Sequence, residues 1–146
     1  TGLQGTLYNG VGSGTDLLKK YGEEQVHIWR RSYDVRPPML TIDDPRYPGN
    51  DPLYKDLNKD ELPLTECLKD TLERVLPYYN NEIKNHLLKG ENVLIVAHGN
   101  SIRSIIKYIE NISDEDIMNV EIPTAVPYIY ELDNELNIIN KTILNH

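Results

Sequence analysis

The stretch from Val93 to Arg103, Val-Leu-Ile-Val-Ala-His-Gly-Asn-Ser-Ile-Arg, constrains this chain more than any other. Val93 to Ala97 is a short, unbroken apolar run rich in β-branched residues. Such a run predicts a strand buried on both faces, with helices covering each side of an α/β unit. Ser101 to Glu110 then carries Ile102, Ile105, Ile106 and Ile109 at helical spacing, which predicts an amphipathic helix. His98-Gly99-Asn100 sits between the two. An imidazole is thus expected at the carboxyl end of a strand and the amino end of a helix, where open α/β sheets bind their ligands. Free backbone N–H groups and the helix dipole attract anions there, phosphate above all. Gly99 would let the backbone approach a ligand closely. A lone His at a strand end is more often a hydrogen-bonded structural residue. The ordered series of strand, His, Gly, polar pair and helix favours the functional reading.

A chain of 146 residues is expected to form a single domain with a real core. A net charge of -8 argues against a nucleic-acid surface, so any anionic ligand must be drawn by a local positive patch. The single cysteine, Cys67, allows no internal disulfide and suits a reducing compartment. No apolar run approaches the length of a membrane span, and the amino terminus does not read as a signal peptide. No membrane partner is therefore expected, and the location expected is cytoplasmic.

Taken in order, Thr1 to Gly14 is glycine-rich and reads as a loop. No Gly-Lys-Ser/Thr follows it, which argues against a P-loop. Thr15 or Asp16 can cap a short helix through Lys20, with Gly22 just past its end. Glu23 to Ser32 predicts a second helix with Val26 and Trp29, and also His27 and Ile28, toward its inner side. It ends in Arg30-Arg31, which with nearby Arg36 forms the densest positive cluster of an acidic chain. Guanidinium forks bind phosphate and carboxylate oxygens bidentately, whereas the plainer reading is a solvated basic pair. Val35 to Leu64 holds Pro37, Pro38, Pro45, Pro48, Pro52 and Pro63, so little regular structure is expected. This segment reads equally as an active-site cover or as a loop held by its own Tyr47 and Tyr54.

Thr65 to about Leu88 predicts the longest helix, kinked or divided at Pro77 and stopped by Gly90. Ser113 to Asp116 resembles a capping box ahead of one more short helix. Tyr128 to Leu132 and Leu136 to Leu144 flank Asp133-Asn134-Glu135, a hairpin signal at a sheet edge. Only Val93 to Ala97 reads as a parallel strand, and such a strand needs parallel neighbours. The expectation is that part of the domain precedes Thr1.

Other chemistries fit poorly. Gly99-Asn-Ser101 lacks the Gly-x-Ser-x-Gly pattern of a serine hydrolase, and Arg74 lies too far from Cys67 to close a cysteine-phosphatase loop. His27, His86, His98 and His146 have no metal-ligand spacing, so no metal is expected. Glu66 is noted as a possible acid, with a solvated or helix-start carboxylate as the plainer role.

Residues 21 to 35 (Tyr-Gly-Glu-Glu-Gln-Val-His-Ile-Trp-Arg-Arg-Ser-Tyr-Asp-Val), residues 65 to 71 (Thr-Glu-Cys-Leu-Lys-Asp-Thr) and the Val93 to Arg103 run closely resemble the cofactor-dependent phosphoglycerate mutases. Ile122 to Asp133 resembles their carboxyl-terminal segment. The resemblance implies a three-layer α/β fold with a mostly parallel sheet and helices on both faces, here incomplete. Residues 1–146 would form the carboxyl-terminal portion of such a domain. It implies interconversion of 3- and 2-phosphoglycerate in glycolysis through a phosphohistidine intermediate, primed by 2,3-bisphosphoglycerate without metal, and a homodimer. Carried over, Arg30 and Arg31 would grip the substrate's carboxylate and phosphate. His98 would stabilise the transferring phosphoryl group, and Gly99 and Asn100 would contact phosphate oxygens. The family's nucleophilic histidine lies in an Arg-His-Gly motif that these residues do not contain, and its proton-donor carboxylate and Asn-Lys element are not matched either. Two alternatives stand beside the mutase: a bisphosphoglycerate mutase or phosphatase of the same histidine phosphatase superfamily, and a non-catalytic phosphate-binding fragment.

Overall fold

Helix ends are set here by glycine and by charge. In the computed structural model, which describes residues 14–144, helix α1 (Gly14–Tyr21) and helix α2 (Glu23–Arg31) are joined by Gly22 at φ 82. That left-handed backbone suits glycine, and the Gly22 N–H closes α1 on the Leu18 carbonyl at 3.0 Å. Acidic Glu23 and Glu24 open α2 and basic Arg30 and Arg31 end it, each complementing the helix dipole. Val26 is buried and the Tyr21 and Trp29 rings meet edge to face at 4.9 Å. His27, expected on the inner side, is exposed. The glycine-rich stretch before Gly14 lies outside the described residues.

The described residues divide into two compact units between Asp70 and Thr71. In the first, the proline-rich segment is irregular but held at several points. The Leu40 N–H donates to the Leu64 carbonyl at 3.0 Å, and Thr65 Oγ1 donates to the Pro37 carbonyl at 2.6 Å. Three single 3₁₀ turns break it up: Pro48–Asn50, Pro52–Tyr54 and Lys59–Glu61. Two of them start on prolines whose fixed φ suits a first helical position, and Asn58 with Glu61 forms a capping box on the third. Tyr47 is buried, and any side chain at Gly49 would collide with its ring. Tyr47 therefore serves as an internal anchor of this segment.

The long helix begins at Leu68 rather than Thr65. Helix α3 (Leu68–Tyr78) contains Pro77, which has no N–H to continue the ladder. The chain answers with a π-helical turn, Tyr79–Ile83, whose wider bonding pattern ends with the Lys84 N–H on the Tyr79 carbonyl. Helix α4 (Lys84–Leu88) completes the run. Gly90, at φ 77, ends it, with its N–H on the Leu87 carbonyl and the Glu91 N–H on the His86 carbonyl.

In the second unit, helix α5 (Gly99–Ile109) follows the apolar run. It ends in the same way as α4, with Asn111 at φ 53 and the Ile112 N–H on the Lys107 carbonyl at 3.0 Å. Tyr79, Ile83 and Ile105 form a buried cluster with Val75, Leu87 and Ile109 against it. Ile106 and Ile117 are almost wholly buried, at 2% and 0% exposure. A 3₁₀ turn, Asp116–Asn119, follows Ser113, whose Oγ accepts from the Asp116 N–H. Strands β1 (Tyr128–Leu132) and β2 (Ile138–Ile143) form the expected hairpin, with Tyr128 opposite Ile143 and a bulge between Glu131 and Leu132. Asp133 holds its turn by accepting from the Glu135 and Asn137 N–H groups and from Asn137 Nδ2.

The expected mostly parallel sheet is corrected. Among the described residues the sheet is two-stranded and antiparallel, and residues 93–97 take part in no ladder. Leu94 and Val96 are 87% and 85% exposed, so this run is not buried on both faces. The reason is physical: apolar, β-branched composition states what side chains require, whereas a ladder needs neighbouring strands, and the described residues offer none to this run. Its residues Val93 and Ile95 instead line an apolar cavity of about 250 Å³ with Ile102, Ile106, Tyr128 and Tyr130.

Candidate functional site

His98 occupies the N-cap of α5, with extended backbone at φ -62 and ψ 146. Its carbonyl accepts the first helical bond, from the Ile102 N–H at 3.0 Å. Its ring Nδ1 accepts from the Asn100 N–H at 3.3 Å, so the side chain caps the helix in place of Ser or Asp. A neutral ring that accepts at Nδ1 carries its proton on Nε2 and offers it as a donor. The imidazole is exposed, while Gly99 and Asn100 are half-buried. Among the described residues, beyond its chain neighbours and its own helix backbone, nothing lies within 4 Å of the position a Cβ would take on Gly99, so the turn stands open on that side. One histidine N–H, the amino end of an eleven-residue helix and an asparagine amide thus share one turn. All are groups that meet an anion by donation.

The turn is braced from within the helix. Arg103, at 2% exposure, donates from Nη1 to Asn100 Oδ1 at 3.2 Å and from Nη2 to the Ile117 carbonyl at 2.7 Å. Sequence reading placed Arg103 at the end of the motif and gave it no role. Its helical spacing of three from Asn100 was the available signal. Ser101 is buried, and the Ser104 hydroxyl donates to its carbonyl at 2.7 Å. Buried in the helix, it is not presented as a hydrolase nucleophile.

Arg30 and Arg31 lie in the first unit, in the last turn of α2, the former exposed and the latter half-buried. They are adjacent at the carboxyl end of that helix. Arg36, expected to add to this cluster, is committed elsewhere: its guanidinium binds both oxygens of Asp70. Cys67 is buried and its Sγ donates to Asp70 Oδ2 at 3.1 Å. Burial pushes the thiol pKa up, which opposes a nucleophilic thiolate. Glu66 is also buried, at 3% exposure, and not a solvated carboxylate. No group of three or more His, Cys, Asp or Glu among the described residues is placed to hold a metal ion, and no described helix is long and apolar enough to cross a membrane.

The family model of the histidine phosphatase superfamily, branch 1, matches residues 42–143. That span contains the His98-Gly99-Asn100 turn and leaves Arg30 and Arg31 outside it. The match covers more than two thirds of the chain, and the chain belongs to branch 1 of the histidine phosphatase superfamily.

Proposed function

We propose that the chain is the carboxyl-terminal portion of a cofactor-dependent phosphoglycerate mutase, an isomerase of glycolysis interconverting 3- and 2-phosphoglycerate. The superfamily holds phosphatases and mutases that work by phosphoryl transfer. The observation that carries the reading is the α5 turn, where His98 caps the helix and Gly99 and Asn100 follow with open space beside them. Phosphoryl transfer demands little covalent work beyond a nucleophile; it demands donors fixed around the transferring oxygens. His98 supplies an N–H to the phosphoryl group as charge builds on it, and the backbone and Asn100 hold further oxygens. Arg30 and Arg31 grip the substrate carboxylate and phosphate. When bound, 2,3-bisphosphoglycerate supplies the priming phosphoryl group for the phosphohistidine, and the same donors suit its phosphates. The nucleophilic histidine is supplied from outside the 146 residues, whose sequence has no Arg-His-Gly. The enzyme works in the cytoplasm as a homodimer.

The test is the intact mass of the purified protein followed by a coupled assay for 2-phosphoglycerate from 3-phosphoglycerate, with inorganic phosphate measured in parallel. Isomerisation that depends on 2,3-bisphosphoglycerate supports the mutase. Phosphate release without isomerisation assigns the sister reading, a bisphosphoglycerate mutase or phosphatase. Neither activity from a polypeptide of 16.8 kDa makes it a phosphate-binding module without the covalent chemistry.

A further inference from the structure

The Asn100 side-chain amide has two unlike ends, an accepting Oδ1 and a donating Nδ2, of nearly equal size. Only the donating end serves an anion, so a phosphate site built on this residue needs the amide held one way round. Arg103 does this by its chemistry. A guanidinium has donors and no acceptor, so Nδ2 turned toward it would set donor against donor. Oδ1 faces it instead, at 3.2 Å from Nη1. The guanidinium is itself fixed at its other nitrogen, 2.7 Å from the carbonyl of the fully buried Ile117. A lysine carries one ammonium in place of this fork and does not reproduce the two fixed directions. The buried charge also adds to the positive end of α5.

We propose that Arg103 is a positioning residue that orients the Asn100 amide so that its N–H groups point to an anion bound at the His98-Gly99 turn. The inference rests on the reading of that turn as a phosphate site. Orientation acts through Asn100 alone, whereas a merely structural role acts on the whole turn. A double-mutant cycle separates the two.

Inorganic phosphate is titrated into the ¹⁵N-labelled full chain, following the His98, Gly99 and Asn100 resonances, for the wild type, Arg103→Lys, Asn100→Ala and the double variant. Arg103→Lys is expected to weaken phosphate binding about tenfold in the wild-type background, the value of one charge-assisted hydrogen bond. In the Asn100→Ala background it is expected to change binding by less than about twofold. An equal loss in both backgrounds, which includes the case of a disturbed fold, overturns the proposal, as does no loss in either. If phosphate moves none of these resonances in the wild type, the phosphate-site reading itself fails, and the orientation of Asn100 loses its object.

Discussion

Asp70 binds the Arg36 guanidinium through both carboxylate oxygens across 34 residues of sequence, with Arg36 Nε on Oδ2 at 2.8 Å, while the Cys67 N–H donates to that same Oδ2 at 2.9 Å. As the third residue of α3, Asp70 thus closes the helix start as the acidic half of a capping box does, and it ties that start to the proline-rich segment. The Arg36 hydrogen bonds first, then the Cys67 N–H, hold its carboxyl well below the usual Asp range. A depressed native pKa gives stability that is present above the unfolded value of about 4 and lost as pH falls below it. Asp70→Ala is therefore expected to cost about 1 kcal/mol at pH 7, mostly through the lost cap, and to flatten the acid limb below about pH 4. Arg36→Ala should cost less, because Arg36 is exposed and its charge is screened by solvent. Urea melts of both variants from pH 2 to 7 check the order.

Cys67 is expected to behave as an inert thiol. It is 3% exposed, and burial raises its pKa, so the thiolate is scarce at neutral pH and grows only as pH rises. Alkylation by iodoacetamide at pH 8 should run at least about 100-fold slower in the native chain than in guanidinium, because it must wait for local opening. Rapid native labelling would show that the start of α3 opens readily.

Much of the local fold around the His98 turn was legible because its signals are local. The isoleucine spacing of 102, 105, 106 and 109 specified α5, and Asp133-Asn134-Glu135 specified the hairpin turn. The same holds for Gly22 and Gly90 as helix stops. What escaped reading is non-local. No pattern within residues 65 to 71 distinguishes a helix start at Thr65 from one at Leu68, since Asp70 is recruited by an arginine far away in sequence. Arg36 looked like a ligand for anions for the same reason: its partner is not its neighbour. Val93 to Ala97 misled in the opposite sense, because composition records a demand for burial and a strand ladder records its supply.

That run yields a contrast in core energetics. Ile106→Ala, at a site 2% exposed in α5, should destabilise by about 2 to 5 kcal/mol through lost burial and a residual cavity. Leu94→Ala, at a site 87% exposed, should stay within about 0.5 kcal/mol. Thermal or denaturant unfolding of the two variants under one condition measures both. A large loss for Leu94→Ala would mean that residues 93–97 are covered in solution.

In a catalytically complete parent enzyme, His98 and Arg30 should fail in different ways. His98 caps α5 at the turn proposed to hold the transferring phosphoryl group, so His98→Ala is expected to lower kcat by about 100-fold or more with a smaller effect on KM. Arg30, at the end of α2, is proposed to grip the substrate, so Arg30→Ala is expected to act mainly on binding, raising KM about tenfold and leaving kcat within a fewfold. The histidine also caps α5, so His98→Asn, which keeps a capping side chain, separates the catalytic loss from loss of the helix start. If His98→Asn restores the thermal stability lost in His98→Ala and not the turnover, the ring acts on the phosphoryl group. If it restores both, the imidazole serves the helix and the phosphoryl group is stabilised elsewhere.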